Sequence, residues 1–281
     1  MLAGLRSAID TVRAVGASFL GDQCLFLAGG VAYQLFFALV PMLALVVGVL
    51  GFVYGPDRAQ RELVQMLREI YPSATAQEVR VARELVGGRA VSLGVGLVGT
   101  ILSAGAVFGS IDTALALVLG TGRARGFVRG RLEGFAFIGG IALLAVLSFA
   151  LSYGAQAAQG ALASAGLART GRLVVALGSP LLGLAAGWLF FYVIYRYVPR
   201  RAVGGRLARM SALVSAVLWE VAKVGFGFFT RGLGTFSAYG PIAFAAGLLT
   251  WVYLTAVIIL FGAELMKVRV RAADLMKGAV A

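Results

Sequence analysis

Between Pro241 and Ala263 the chain runs for 23 residues without a single charge. At about 1.5 Å per residue, a helix of that length crosses the roughly 30 Å hydrocarbon core of a bilayer. No other feature constrains the fold as strongly, because a backbone in lipid must satisfy its own hydrogen bonds and only helices and closed barrels do so. Several other uncharged stretches reach 20 residues, while the period-two alternation and aromatic girdles of barrel strands are missing. The expected fold is therefore an all-α integral membrane protein. Composition agrees: of 281 residues, 60% are hydrophobic and 13% charged, too little polar surface to cover a soluble globule.

The apolar runs predict a bundle of six transmembrane helices in a single membrane domain, at about 24–54, 90–119, 134–158, 173–197, 210–230 and 241–266. An even number places both termini on one side. Basic residues assign that side: fifteen fall in the N-terminal segment, the connections after the second and fourth spans, and the segment after the sixth, against nine in the opposite connections. Six of those nine share the stretch 55–89 with five acids. The positive-inside rule then predicts a multi-pass protein with both termini cytoplasmic. The net charge of +13 is accounted for by basic loops facing anionic lipid, so no nucleic-acid partner is expected.

Two segments read as amphipathic instead of spanning. Leu2, Leu5, Ile9 and Val12 recur at helical spacing around Arg6, Asp10 and Arg13, which predicts an interfacial helix over 1–22. On the opposite side, RELVQMLREIY and the capping-box spacing of TAQE predict a short extracytoplasmic helical hairpin over 57–87. Residues 267–281 read as a cytoplasmic tail. No cleavable secretory signal is expected, since the first long apolar run starts only near Cys24.

With one cysteine and no histidine, the chain offers neither a Cys-rich metal site nor the usual general base, so no metal, no cofactor and no catalytic residue are expected. No Walker-type phosphate loop is present, which argues against ATP-driven transport by this chain alone.

Ionisable groups inside the bilayer are costly and therefore informative. Glu220 and Lys223 share one helix face in the middle of the fifth span, either as a structural ion pair or as a polar spot lining a substrate pathway. Asp112 in FGSIDTALA is either a local polar cap or a substrate or proton site. Tyr33 and Pro41 lie in the first span, where proline removes a backbone donor and predicts a kink. Glu264, one turn before Lys267, either marks the water boundary of the last span or belongs to a working site. The end of the fourth span, WLFFYVIYRYVPRR, is an aromatic and basic belt that either anchors the helix or, through Arg196, Arg200 and Arg201 beside Tyr195, forms a phosphate-binding rim. Gly-x-x-x-Gly occurs at Gly105–Gly109 and Gly183–Gly187, a spacing that lets helices approach closely.

The stretches AGGVAYQLFFALVPML, FYVIYRYVPRR, VLWEVAKVGFGFF and FSAYGPIAFAAGLLTWVYLTAVIILFGAEL, in this order and spacing, resemble the YihY/BrkB family of bacterial inner-membrane proteins over nearly the whole chain. By motif match the resemblance marks Tyr33, Pro41, Tyr195, Pro199, Lys223, Tyr239, Gly240 and Glu264, and it adds Tyr239 to the pathway candidates. Ala116 and Met210-Ser211 stand where the family's pattern would have asparagine and Pro-Gly. The resemblance implies six spans and brings two names, ribonuclease BN and virulence factor, that do not establish an activity. It also implies handling of lipid, since some members are linked to export of lipid A precursors.

Three functions are therefore weighed. The first is a non-enzymatic transporter or translocator of a lipid or other amphiphilic, anionic envelope substrate. Its partners would be membrane lipids, especially anionic phospholipid or a lipid precursor, and a homo-oligomer is compatible with it. The second is a non-catalytic scaffold for envelope assembly. A tRNA-processing ribonuclease comes last, because the cytoplasmic loops offer little beyond Glu133 for metal or acid–base chemistry.

Overall fold

The computed structural model describes residues 2–53, 88–121, 134, 168–199, 203–233 and 240–278. Among these residues the regular structure is entirely helical, with no strand. The helices are α1 (Leu2–Gly21), α2 (Cys24–Val53), α3 (Arg89–Val118), α4 (Ala168–Tyr197), α5 (Gly205–Leu233) and α6 (Gly240–Gly278). Four windows are long and apolar enough to cross a membrane, Cys24–Met42, Leu93–Val118, Gly205–Phe228 and Ala245–Ala272, and Leu181–Tyr197 is a shorter apolar stretch. The expected span 134–158, except Gly134, and the hairpin 57–87 lie outside the described residues.

One junction and one helix end show how the sequence sets the breaks. At Gly21-Asp22-Gln23, Gln23 adopts φ 52°, a left-handed conformation that costs a non-glycine residue about 1 kcal/mol. Its carbonyl then accepts from the N–H groups of Phe26 and Leu27, which opens α2. At the end of α3, Gly120 (φ 67°) donates to Leu117 O while Thr121 donates to Ala116 O. That is a Schellman closure, where only glycine takes the left-handed turn without penalty.

The segment read as an interfacial helix is helical as α1, and it is docked: Val15 and Phe19 are buried against α6, with the Phe19 and Phe261 rings 6.2 Å apart. Val12 and Leu20 lie on its outward stripe and are exposed. The segment expected as a tail continues α6 through Gly278, since VRVRAADLMK holds neither proline nor glycine to stop a helix.

α6 is the centre of the bundle and packs against α1, α2, α3 and α5, while α4 packs against α5. The buried stripe of α5 is made of small residues, Ala208, Ser211, Ala212, Ser215 and Ala216, which lets its neighbours come close. α2 and α3 run antiparallel with their backbones in near contact. A Cβ on Gly48 would lie 2.7 Å from Leu93 Cα, one on Gly96 would lie 2.3 Å from Leu45 N, and one on Gly99 would lie 2.6 Å from Pro41 Cβ. Pro41 therefore sits inside a continuous α2, its ring against the bare face of α3.

Candidate functional site

Two arrangements stand out near the end of the bundle where α1 meets α2. The first is a cluster of charges. Glu264 lies on α6 with no exposed surface, and Lys267, one turn on, is 9% exposed. The Lys267 ammonium donates to the Asp22 carboxylate at the α1–α2 junction. It also lies 3.5 Å from both oxygens of Glu264. Cys24, the first residue of α2, donates its thiol to Glu264 Oε1 at 3.5 Å, and Ser18 of α1 faces the same carboxyl group. Glu264 Oε2 is buried and makes no hydrogen bond, although the Lys267 ammonium stands 3.5 Å away. A buried polar atom left unpaired is expensive, so this oxygen is the feature of the cluster most in need of a reason.

Asp22 is about a third exposed and lies outside the spans. Burial alone would raise its pKa, but the hydrogen bond of Lys267, a hydrogen bond with Glu264 and the charges of Lys267 and Arg271 outweigh it and hold the carboxyl below its ordinary value. A depressed carboxyl contributes stability that is present above its unfolded pKa, roughly 4, and is lost as pH falls through the folded value. The apparent melting temperature of the detergent-solubilised protein is expected to drop as pH falls below about 4. Asp22→Asn should shrink that drop, and an unchanged acid limb would show that the clasp is not coupled to folding.

Next to the cluster, Tyr195 ties α4, α5 and α6 together. Its hydroxyl lies 2.8 Å from Ser215 Oγ, 2.9 Å from Ile259 O and 3.4 Å from Ile258 O. The carbonyls can only accept, so the phenol donates toward Ile259 and Ser215 donates to the phenol. Gly262 makes room for this, since a Cβ there would sit 2.1 Å from Tyr195 Oη. Tyr195, read from sequence as part of a headgroup rim, is fully buried and points into the bundle.

The second arrangement is an open cleft of about 760 Å³ between the halves of α2 and α3 that lie away from their glycine contact. Phe26, Gly29, Gly30 and Gln34 line it from α2, and Gly109 and Thr113 from α3. None of its lining residues is charged. Positions Gly29, Gly30 and Gly109 have nothing within 4 Å of where a Cβ would stand, unlike Gly48 and Gly96.

The other sequence candidates are spread along the bundle. Glu220 and Lys223 form their ion pair at 2.7 Å, but with 30% and 40% exposure they lie on an outer side of α5, next to Gly183. Of the two glycine motifs, Gly183–Gly187 lies against Glu220, Ala216 and Trp219, whereas Gly109 opens onto the cleft. Asp112 is buried and engaged, and its neighbours Ser110 and Thr113 reach the cleft. The Ser110 hydroxyl donates to Val107 O. Tyr33 is exposed beside Phe37, the ring centroids 4.6 Å apart. In the belt of α4, Trp188 stacks on Tyr192 at 5.5 Å and donates to Arg209 O. Arg196 and Tyr197 are exposed, while Arg200, Arg201 and Tyr239 lie outside the described residues.

Sequence reasoning singled out Glu264 and Lys267 but missed Asp22 and Cys24. The available signal was an acid directly before the first span, at the same predicted side of the membrane as Glu264.

The family model described as "Virulence factor BrkB" matches residues 15–277, which takes in both the cluster and the cleft. The chain belongs to the BrkB family. Similar proteins include a UPF0761 membrane protein of Alkalilimnicola ehrlichii, 29% identical over 92% of this chain and 58% of the relative. Another, from Rhodospirillum centenum, is 27% identical over 93% of this chain and 57% of its own length. A third, from Stenotrophomonas maltophilia, is 27% identical over 92% of this chain and 60% of its own. The chain thus spans 57–60% of the length of these relatives. No solved structure matches it. Family membership, the relatives' description as membrane proteins and the apolar helices together make this a multi-pass membrane protein of the BrkB family.

Proposed function

We propose that this BrkB-family protein is a translocator of an amphiphilic, anionic envelope lipid in the bacterial inner membrane, with six spans and both termini on the cytoplasmic side. The observation that carries this reading is the cleft between α2 and α3. Its walls are apolar enough for acyl chains, and Gln34, Ser110 and Thr113 offer uncharged hydrogen-bonding groups to the ester region. In the proposed topology it opens in the cytoplasmic half of the membrane, where the basic loops concentrate anionic headgroups. Its glycines are not needed for helix contact, so their smallness serves the space itself.

The test uses the 281-residue chain reconstituted in vesicles of phosphatidylglycerol and phosphatidylethanolamine, following transbilayer movement of a fluorescent phosphatidylglycerol. Wild-type protein should accelerate movement over empty vesicles. Gly30→Leu combined with Gly109→Leu fills the cleft without meeting protein atoms at the Cβ position. It should slow transfer about tenfold, which corresponds to roughly 1.4 kcal/mol, while leaving the melting temperature nearly unchanged. Wild-type movement no faster than that of empty vesicles, or full transfer by a folded double variant, would refute the reading and shift weight to a scaffold.

A further inference from the structure

The charge cluster holds two carboxylates, Asp22 and Glu264, and one cation within reach of both, Lys267. With Lys267 committed to Asp22, the second carboxylate sits with no exposed surface and one oxygen unpaired. An uncompensated charge in such a place is neutralised by a proton or a bound cation. A metal cation needs several oxygen ligands free of a competing cation, whereas the Lys267 ammonium already lies 3.5 Å from both Glu264 oxygens and is bonded to Asp22, the other acid of the site. Among the described residues no group of His, Cys, Asp and Glu side chains is arranged to hold a metal ion.

We propose that Glu264 is a proton-binding site, with Oε2 as the seat of the proton and Lys267 as the counter-charge that moves between the two acids. When Glu264 is protonated, Lys267 stays on Asp22 and clasps α1 to α6. When the proton leaves for water, the ammonium, already 3.5 Å from both Glu264 oxygens, is drawn toward the new carboxylate and the clasp on α1 loosens. The groups facing this exchange are Ser18 and Asp22 beside α1, Cys24 on α2, and Lys267 and Arg271 on α6. From α4 and α5, Tyr195 and Ser215 stand by Gly262, bonded to each other. The site supplies a translocator with a coupling ion, and that last step rests on the function proposed above.

Infrared difference spectra of the full chain in lipid nanodiscs, between about pH 6 and about pH 9, lie above the titration range of exposed carboxyls. They should show a protonated-carboxyl C=O band that is lost in Glu264→Gln and kept in Asp10→Asn. Should Glu264→Gln fail to fold, Glu264→Asp must shift the band. Absence of a titrating band from the wild type, its persistence in folded Glu264→Gln, or an unshifted band in Glu264→Asp would overturn the site. So would suppression of the band by sodium in place of potassium, which would identify a metal cation as the occupant. In vesicles, an imposed pH gradient should speed lipid transfer several-fold in wild type and not in Glu264→Gln. A Glu264 band with gradient-insensitive transfer upholds the proton site and overturns the coupling. A Glu264 band in a protein that moves no lipid upholds the site and refutes the translocator instead.

Discussion

Lys267→Met should lower the stability of the bundle by about 3 kcal/mol, the low end of the cost of breaking a buried pair. The low end applies because Asp22 is partly exposed and can recruit water. The substitution keeps most of the apolar stem, so the loss is electrostatic: Asp22 must stay charged without its ammonium or take up a proton, and Glu264 loses the cation that would meet its charge. The damage should therefore be reversible by a second change. Lys267→Met combined with Asp22→Asn and Glu264→Gln leaves no charge behind and should recover most of the loss, since uncharged groups of similar shape often replace a buried pair at little cost. Thermal unfolding in detergent, read as retention of the monodisperse protein, separates the single from the triple variant. Equal damage in both would mean that Lys267 acts by packing and not by charge.

Gly96→Ala should cost about 3 kcal/mol, near the top of the usual range for overpacking, although it adds a single methyl. The new carbon would stand 2.3 Å from Leu45 N and 2.6 Å from Leu45 Cα, and main-chain atoms inside a helix cannot swing aside. α2 and α3 would have to separate along their tightest contact. The same change elsewhere should behave differently. At Gly183 the nearest atoms are the ends of Glu220 and Lys223, at 3.2 and 3.5 Å, which can rotate away, so Gly183→Ala should cost under about 1 kcal/mol. Gly30→Ala meets nothing within 4 Å and relieves the helix of a glycine, a gain of about 0.5–1 kcal/mol. Chemical denaturation of the three variants in one detergent tests the order, and a Gly96→Ala protein as stable as Gly30→Ala would contradict the close approach.

Much of this architecture was legible in advance because lipid imposes one rule on every span. The uncharged runs, the break before Cys24 and the turn at Gly120 are local and can be read from neighbouring residues. Glu264 was also legible as an oddity, a carboxylate closing a 23-residue uncharged run. Its partners were not, since Cys24 lies 240 positions away and no local pattern links the two. The belt on α4 shows the other limit. Tyr195 and Tyr197 look equivalent in composition, yet one is fully buried and the other exposed on opposite sides of one helix. Which one turns inward depends on Gly262 and Ser215 on other elements. Glycine spacing was informative only in part for a similar reason: Gly183–Gly187 lies against α5, but the closest backbone approach is at Gly48, Gly96 and Gly99, outside the two Gly-x-x-x-Gly pairs singled out above.

The clasp between Asp22 and Lys267 has a consequence for how the protein is made. It joins positions 245 residues apart, so α1, which leaves the ribosome well before α6, lacks the partner for its Val15 and Phe19 face until α6 is synthesised. At roughly 5–20 residues per second that wait lasts on the order of 10–50 s. During it the amphipathic α1 has only the membrane surface to cover its apolar side. Closure of this clasp thus waits for α6, and a chain halted before Lys267 would keep α1 undocked, available to proteases and to chaperones.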